Sequence, residues 1–288
     1  MNTIKLGSKG EDVKVLQKYL GINPDGVFGP KTELKVKEWQ KSKGLTPDGI
    51  IGPKSWAIIL NKSNNNYSKK VLYVLLDNGH GNNTPGKRSP KLDNGTQFFE
   101  FEFCRKVVNA LYEKIKACPE MIPIKITPET TDISLTTRVK RINQYCVKYG
   151  ADNCIMISVH VNAAGNGGWM TGRGWSAWTT KGVNSSDKLA ECLYDAADTI
   201  IKNNKQYVNT FNGQKIQKPI REDKSDGDRD FEAGFQILRG SNCAAVLTEN
   251  FFMDNKQDVE YLISTNGFND IVALHLQGIQ NYYNKYKK

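Results

Sequence analysis

Two of the chain's three histidines, His80 and His160, sit where hydrolytic chemistry would need them. His80 lies in Asn78-Gly79-His80-Gly81, straight after the apolar run Val71–Asp77. His160 follows the apolar run Cys154–Val159, and Glu249 follows Ala244–Thr248. If these runs are parallel strands of one sheet, all three polar residues fall along its carboxyl edge, where open α/β sheets bind ligands. A fourth candidate is Glu100, at the start of EFEFCRKVVNALYEKIKA. There Phe103, Val107, Leu111 and Ile115 make one apolar helical stripe, and Glu100 shares it. Glu102 falls on the opposite side, with Arg105, Lys106 and Asn109. A carboxylate on an apolar face is costly unless it is paired or bound to a metal. Two His and one Glu form a ligand set that Zn²⁺ takes in hydrolases, keeping one position for water. Glu249 then stands as general base on that water. Each residue also has an ordinary reading. A lone strand-end His is commonly structural, Glu100 could neutralise its own helix start, and Glu249 could pair with Arg239.

The elements that must position these residues follow from periodicity. Strands are expected at Val71–Asp77, Ile122–Ile126, Cys154–Val159, Gly174–Trp178 and Ala244–Thr248. Helices are expected at Glu100–Ala117, Ser134–Tyr149, Ser186–Lys202 and Gly267–Tyr286. Their alternation predicts an α/β domain over 71–288, a twisted and mostly parallel sheet with helices on both faces. The near-continuous apolar runs VLYVLLD, CIMISV and AAVLT suit strands buried on both faces. His275 lies in the last helix beside Leu274 and Leu276, which favours packing over metal binding.

Residues 1–60 read as a small all-α domain containing a repeat. Asn23–Glu33 (NPDGVFGPKTE) aligns with Thr46–Trp56 (TPDGIIGPKSW). In each copy Pro-Asp-Gly makes a turn, and the following Gly-Pro-Lys starts a helix. Helical stripes are expected at Val13, Leu16, Tyr19 and Leu20, and at Leu34, Val36, Trp39 and Gln40. Residues 61–70 (NKSNNNYSKK) read as a linker. The net charge is +10, and residues 1–70 hold 13 Lys against 6 acidic residues. A basic N-terminal segment suits an anionic polymer, although on charge alone a solvated lysine-rich surface is the favoured reading. No DNA- or RNA-binding motif supports a nucleic-acid partner. No apolar run reaches the roughly 20 residues of a membrane span. The first residues lack a signal-peptide pattern, so release by another route is expected. The six Cys form no CxxC pair and read as reduced thiols.

Two resemblances sharpen these readings. LGSKGEDVKVLQKYL and the paired PDGxxGP turns resemble the peptidoglycan-binding type 1 family, which implies a wall-binding module. From 71 onward, LLDNGHG, FFEFEFCRKVVNAL, the ISLTTRVKRINQYCVKYGADNCIMISVHVNA stretch and AAVLTENFFMDN resemble the zinc-dependent N-acetylmuramoyl-L-alanine amidases of the type 3 family. That resemblance implies zinc ligands at His80, Glu100 and His160, a catalytic Glu249, and one Zn²⁺ per chain. It also implies hydrolysis of the amide between the lactyl group of N-acetylmuramic acid and L-alanine of the stem peptide. The chain departs from the family pattern at Asn78, Asn82, Asn250 and Phe251, where small residues, Pro or Gly are usual; altered groove walls are the expected result. Asn162 and Arg221 are the candidate substrate contacts, and the charged stretch 220–238 is a groove wall or a surface loop. Arg138 is expected to be structural or to support the ligands. A monomeric, endolysin-like enzyme is expected, acting on bacterial peptidoglycan and possible anionic wall polymers after release or outside the cell. The competing readings are another zinc peptidase of wall stem peptides and a wall-binding protein without catalysis.

Overall fold

The computed structural model describes residues 2–63, 71–165, 167–202 and 219–287. The chain divides into two compact units, Met1–Ser68 and Lys69–Lys288.

The first unit contains α1 (Glu11–Tyr19), α2 (Pro30–Ser42) and α3 (Pro53–Ser63). Both Gly-Pro-Lys segments start helices, with Pro30 and Pro53 as the first helical residues. The rest of the polar stretch expected as a linker, 64–70, lies outside the described residues. Val13, Leu16, Phe28, Val36, Ile51 and Trp56 meet in one core. Leu34 does not join them: it is exposed, and the second helix buries Thr32, Val36 and Gln40 instead. The repeat reaches into the hydrogen bonds. Gln17 Nε2 donates to Asp25 Oδ1 (2.7 Å) and to the Val27 carbonyl (3.0 Å), while its Oε1 accepts from Gly26 N (2.8 Å). Gln40 makes the same three bonds with Asp48, Ile50 and Gly49 at 2.8, 2.9 and 2.9 Å. Gly26 and Gly49 hold φ of 76° and 77°, the left-handed geometry that the turns require.

The second unit runs β1 (Leu72–Asn78), α4 (Glu100–Lys116), β2 (Met121–Lys125), α5 (Leu135–Tyr149), β3 (Cys154–Asn162), β4 (Ser176–Thr179), α6 (Ser185–Ile200), β5 (Phe231–Glu232), α7 (Gln236–Arg239), β6 (Ala244–Phe252), α8 (Lys256–Ile263) and α9 (Thr265–Tyr286). The six strands form one sheet in the order β2-β1-β3-β6-β4-β5. Neighbours are parallel except β4, which runs antiparallel to β6. Alternation along β1 shows why the sheet is buried on both faces. Leu72, Val74 and Leu76 enter the core formed with α4, α6 and α9, and Leu75 enters the one formed with α5 and α7.

Two strands run further than their apolar runs suggest. His160 and Glu249 lie inside β3 and β6, not beyond their ends, because the ladder pairs them with each other and resumes at Asn162 and Phe252. The short elements β5, α7 and α8 lack a run long enough to show a period in the sequence. The stretch 220–238 is tied to the sheet edge through β5 and through Arg229, which pairs with Asp198 and Glu222 at 2.8 Å each.

Two buried polar groups brace the sheet. Arg138 of α5, 3% exposed, bonds Asp77 Oδ1 (2.9 Å), the Asn78 carbonyl (2.7 Å) and Asp132 Oδ1 (2.6 Å). It thereby fixes the end of β1. His275 of α9 is fully buried: its Nδ1 faces the Ile271 carbonyl at 2.7 Å and its Nε2 faces Thr248 Oγ1 at 2.9 Å. It is a core group with both ring nitrogens occupied. Burial pushes its pKa down to about 4, against a slight upward pull from the Ile271 carbonyl.

Arg138→Met should cost about 3–5 kcal/mol in urea unfolding, because it leaves the buried Asp77 carboxylate without its cation. A loss under about 1 kcal/mol would show that Ser158 and Thr127 suffice to hold that carboxylate. His275 sets a second expectation. Below pH 6.5 the unfolded chain takes up a proton at this position, while the native chain stays neutral down to about pH 4. The His275 contribution to stability should therefore fall as pH drops through that window, by roughly 3 kcal/mol over its full width, and be constant above it. In chelator, His275→Gln should lower stability at pH 7 yet flatten the acid limb. Parallel limbs in variant and wild type would contradict this.

Candidate metal centre

Gly79-His80-Gly81 leaves the end of β1 in a conformation that few residues adopt. His80 has φ of 61°, and neither flanking position tolerates a side chain. A Cβ on Gly79 would lie 2.5 Å from the His160 ring, and one on Gly81 would lie 2.0 Å from Asp132 N. The two glycines let the backbone turn tightly enough to bring His80 over His160. Their rings stand 5.1 Å apart at 87°.

Glu100 closes the group. It is the first residue of α4, and Phe99 precedes it without a side-chain cap. Its carboxylate does not serve its own helix start. Oε1 instead accepts from Val161 N of β3 (3.0 Å) and lies 3.1 Å from His160 Nδ1. Oε2 lies 3.5 Å from His80 Nε2 and is buried without a hydrogen-bond partner. Glu100 is 1% exposed and Glu102 is exposed, as the helical phase requires. Ligand atoms of His80, Glu100 and His160 all lie within 4.8 Å of one another.

The electrostatics agree with the geometry. Burial alone would raise the Glu100 pKa, yet the His160 hydrogen bond and the charges of His160 and His80 hold it below the ordinary carboxylate value. Burial pushes His80 down to about 4. Burial works to lower His160, but the Glu100 hydrogen bond together with the negative charges of Glu100, Glu249 and Asp77 outweighs it, and the net direction is upward. An anionic carboxylate with a spare buried oxygen, facing a neutral imidazole, fits a divalent cation that accepts nitrogen and oxygen donors. Zn²⁺ is such an ion.

Glu249 stands across the ladder from His160. Part of the residue reaches solvent, but its Oε2 is shielded and has no hydrogen-bond partner. A pairing with Arg239 therefore does not account for that oxygen. Burial pushes the Glu249 pKa up to about 7, and the nearby charges of His160, Lys87 and Arg221 pull it back. It is not the solvent-facing strand end that its sequence position suggests.

The remaining candidates are placed as follows. The Arg221 guanidinium lies over the rings of Phe231 (5.3 Å) and Phe252 (5.2 Å), on the Glu249 side of the sheet. Asn162 turns its Oδ1 onto Ala163 N (2.8 Å) and makes no bond to the His–Glu group. Three of the four positions that depart from the family pattern are not groove walls: Asn78, Asn250 and Phe251 are buried, and only Asn82 is exposed. Lys87 was not legible as a site residue. It lies in a loop without periodicity, but its carbonyl accepts Glu100 N (3.1 Å) and its charge reaches both His80 and Glu249. A separate cleft of about 510 Å³, lined by Phe99, Glu102, Phe103 and Ile263, contains none of the clustered ligands.

Residues 74–281 match the family described as N-acetylmuramoyl-L-alanine amidase, and residues 9–59 match the putative peptidoglycan binding domain. The endolysin of Bacillus phage SPP1 is 29% identical over 219 residues, which cover 75% of this chain and 67% of that protein. The sporulation-specific N-acetylmuramoyl-L-alanine amidase of Bacillus subtilis (strain 168) is 24% identical over 217 residues, 74% of this chain and 69% of that protein. Among solved structures, the N-acetylmuramoyl-L-alanine amidase from Clostridium difficile 630 shares the fold with a TM-score of 0.57 at 21% identity, over 75% of this chain and 99% of that one. With a catalytic-domain match spanning most of its length, the chain belongs to the N-acetylmuramoyl-L-alanine amidase family.

Proposed function

We propose that this peptidoglycan amidase cleaves the amide between the lactyl group of N-acetylmuramic acid and L-alanine of the stem peptide with the help of one Zn²⁺. His80, Glu100 and His160 would hold the ion. The observation that carries this reading is the spare, buried Glu100 Oε2 between two imidazoles, with a second partnerless carboxylate oxygen on Glu249 nearby. A bound zinc ion supplies Lewis acidity, polarising the scissile carbonyl and acidifying water.

The protein's own groups do the rest. Glu249 takes a proton from the attacking water and delivers it to the departing amine nitrogen. A carboxyl pushed up to about 7 can both accept and return a proton near neutral pH. Lys87 and Arg221 place positive charge near Glu249, where an anionic substrate group would be attracted. Arg221 is the proposed substrate contact on that side, and Asn162, the last residue of β3, is the other. The repeat-containing segment 1–60 would hold the enzyme on the wall and raise the local substrate concentration; 61–70 would link it to the catalytic domain, 71–288. Its lysines would also suit anionic wall polymers. Likeness to a phage endolysin supports an enzyme that meets the wall after release; a monomer is the proposed working state.

Clearing of purified walls should stop in chelator and return with Zn²⁺; full activity in a demonstrably metal-free sample would sink the zinc mechanism. Glu249→Gln should keep about one zinc per chain and lose roughly 10²–10⁴ in rate. Loss of the metal in that variant would make Glu249 a ligand. Glu100→Ala should release zinc, whereas Glu102→Ala should retain both metal and rate. The reverse pattern would place the ligand two residues along α4.

A further inference from the structure

The inference below rests on the zinc reading of His160 and extends it to residues behind the ligands. Between the pairs His160↔Glu249 and Asn162↔Phe252 the ladder is irregular. One β3 residue, Val161, stands against two β6 residues, Asn250 and Phe251. The extra residue is accommodated at Phe251, whose φ is 66° although it carries a large side chain. Bulges of this kind re-aim side chains beside active sites. Here the result is that Asn250 and Phe251, although consecutive, are both fully buried.

Asn250 then makes a set of bonds whose polarity leaves no freedom. The Trp175 indole Nε1 can only donate, and it lies 3.1 Å from Asn250 Oδ1. That fixes the carboxamide, and Nδ2 therefore faces the His160 carbonyl at 2.9 Å. The same Nδ2 lies 3.2 Å from Thr248 Oγ1. Behind Thr248, the Ile271 carbonyl can only accept, so the His275 proton is on Nδ1 and its Nε2 accepts from the Thr248 hydroxyl. The Thr248 oxygen keeps a lone pair for Asn250. Every member has one consistent donor or acceptor role, from α9 through β6 to the backbone of a residue whose ring faces Glu100.

We propose that Asn250 is a positioning residue for the amidase reaction. Its carboxamide clamps the His160 carbonyl, sets the imidazole against Glu100 in the geometry that holds the metal, and keeps the neighbouring Glu249 beside it. A small residue at 250 followed by Gly, the pattern this chain departs from, would turn the strand with less strain but would supply no such clamp. The buried, fully paired amide takes the place of that plainer turn.

The test uses the full chain, as wild type, Asn250→Ala and Thr248→Val. The last keeps the size and removes the hydroxyl, which anchors the amide and also donates to His275 Nε2. Zinc affinity is read by competition with a chromophoric chelator, and ligand geometry by visible absorption after Co²⁺ loading. Rates on a soluble muropeptide give kcat and KM separately. Asn250→Ala should bind zinc roughly 10–100-fold more weakly, shift the Co²⁺ absorption, and lose kcat with little change in KM. Thr248→Val should move each readout the same way by less. If Asn250→Ala melts earlier but matches the wild type in zinc affinity and Co²⁺ absorption, the residue only packs and the proposal is overturned. If Asn250→Ala does not fold, Thr248→Val decides: wild-type affinity and absorption overturn the proposal, and weakened binding with a shifted spectrum supports it. Failure of the underlying zinc reading looks different. In that case the wild type itself would bind no zinc, and the inference falls with it.

Discussion

Glu100 brings a negative charge to the junction of α4 and β3, where only 1% of the residue meets water. An isolated carboxylate in such a place would take up a proton. This one is held anionic by Val161 N and by two imidazoles, and the surrounding structure serves that arrangement. The apolar stripe of α4 docks on the sheet and aims the first helical residue inward. Gly79 and Gly81 remove the side chains that would hold His80 away. Arg138 pins the end of β1, so the turn carrying His80 departs from a fixed point.

The same constraint separates the two acidic groups by environment. Glu100 accepts hydrogen bonds from His160 and Val161, so its pKa falls; Glu249 has a shielded oxygen and no such bond to it, so its pKa rises. Two chemically equal side chains, one from α4 and one from β6, are thereby set apart: one is held anionic and the other is pushed up to about 7.

Much of this was legible in the chain because it depends on periodicity. The phase of Phe103, Val107 and Leu111 placed Glu100 inward and Glu102 outward without any knowledge of the partner strand. Apolar runs ending in His160 and Glu249 placed both near one sheet edge. The runs misjudged the strands themselves, since the ladder continues through polar residues when a neighbour offers bonds. Asn250 and Phe251 could not be assigned to the interior, because a bulge breaks the alternation on which such an assignment relies. Lys87 was hidden because loops carry no period. The stripe placed Gln40 beside the core, but the bonds of Gln17 and Gln40 were not legible: a helical glutamine does not name its partner, and here the partners are the turns of the repeat.

Each of those two clamps ties a helix to the turn of its own copy in the first unit. Its core draws Val13, Leu16 and Phe28 from one copy and Val36, Ile51 and Trp56 from the other. One copy alone leaves half of that interior facing water, and repeat units of this size do not bury their apolar faces singly. A single copy would close its core only against a second molecule of itself, an association that depends on concentration. Two copies on one chain make that closure intramolecular. Each glutamine clamp then shapes its own copy, while the shared core makes the two copies one folding unit.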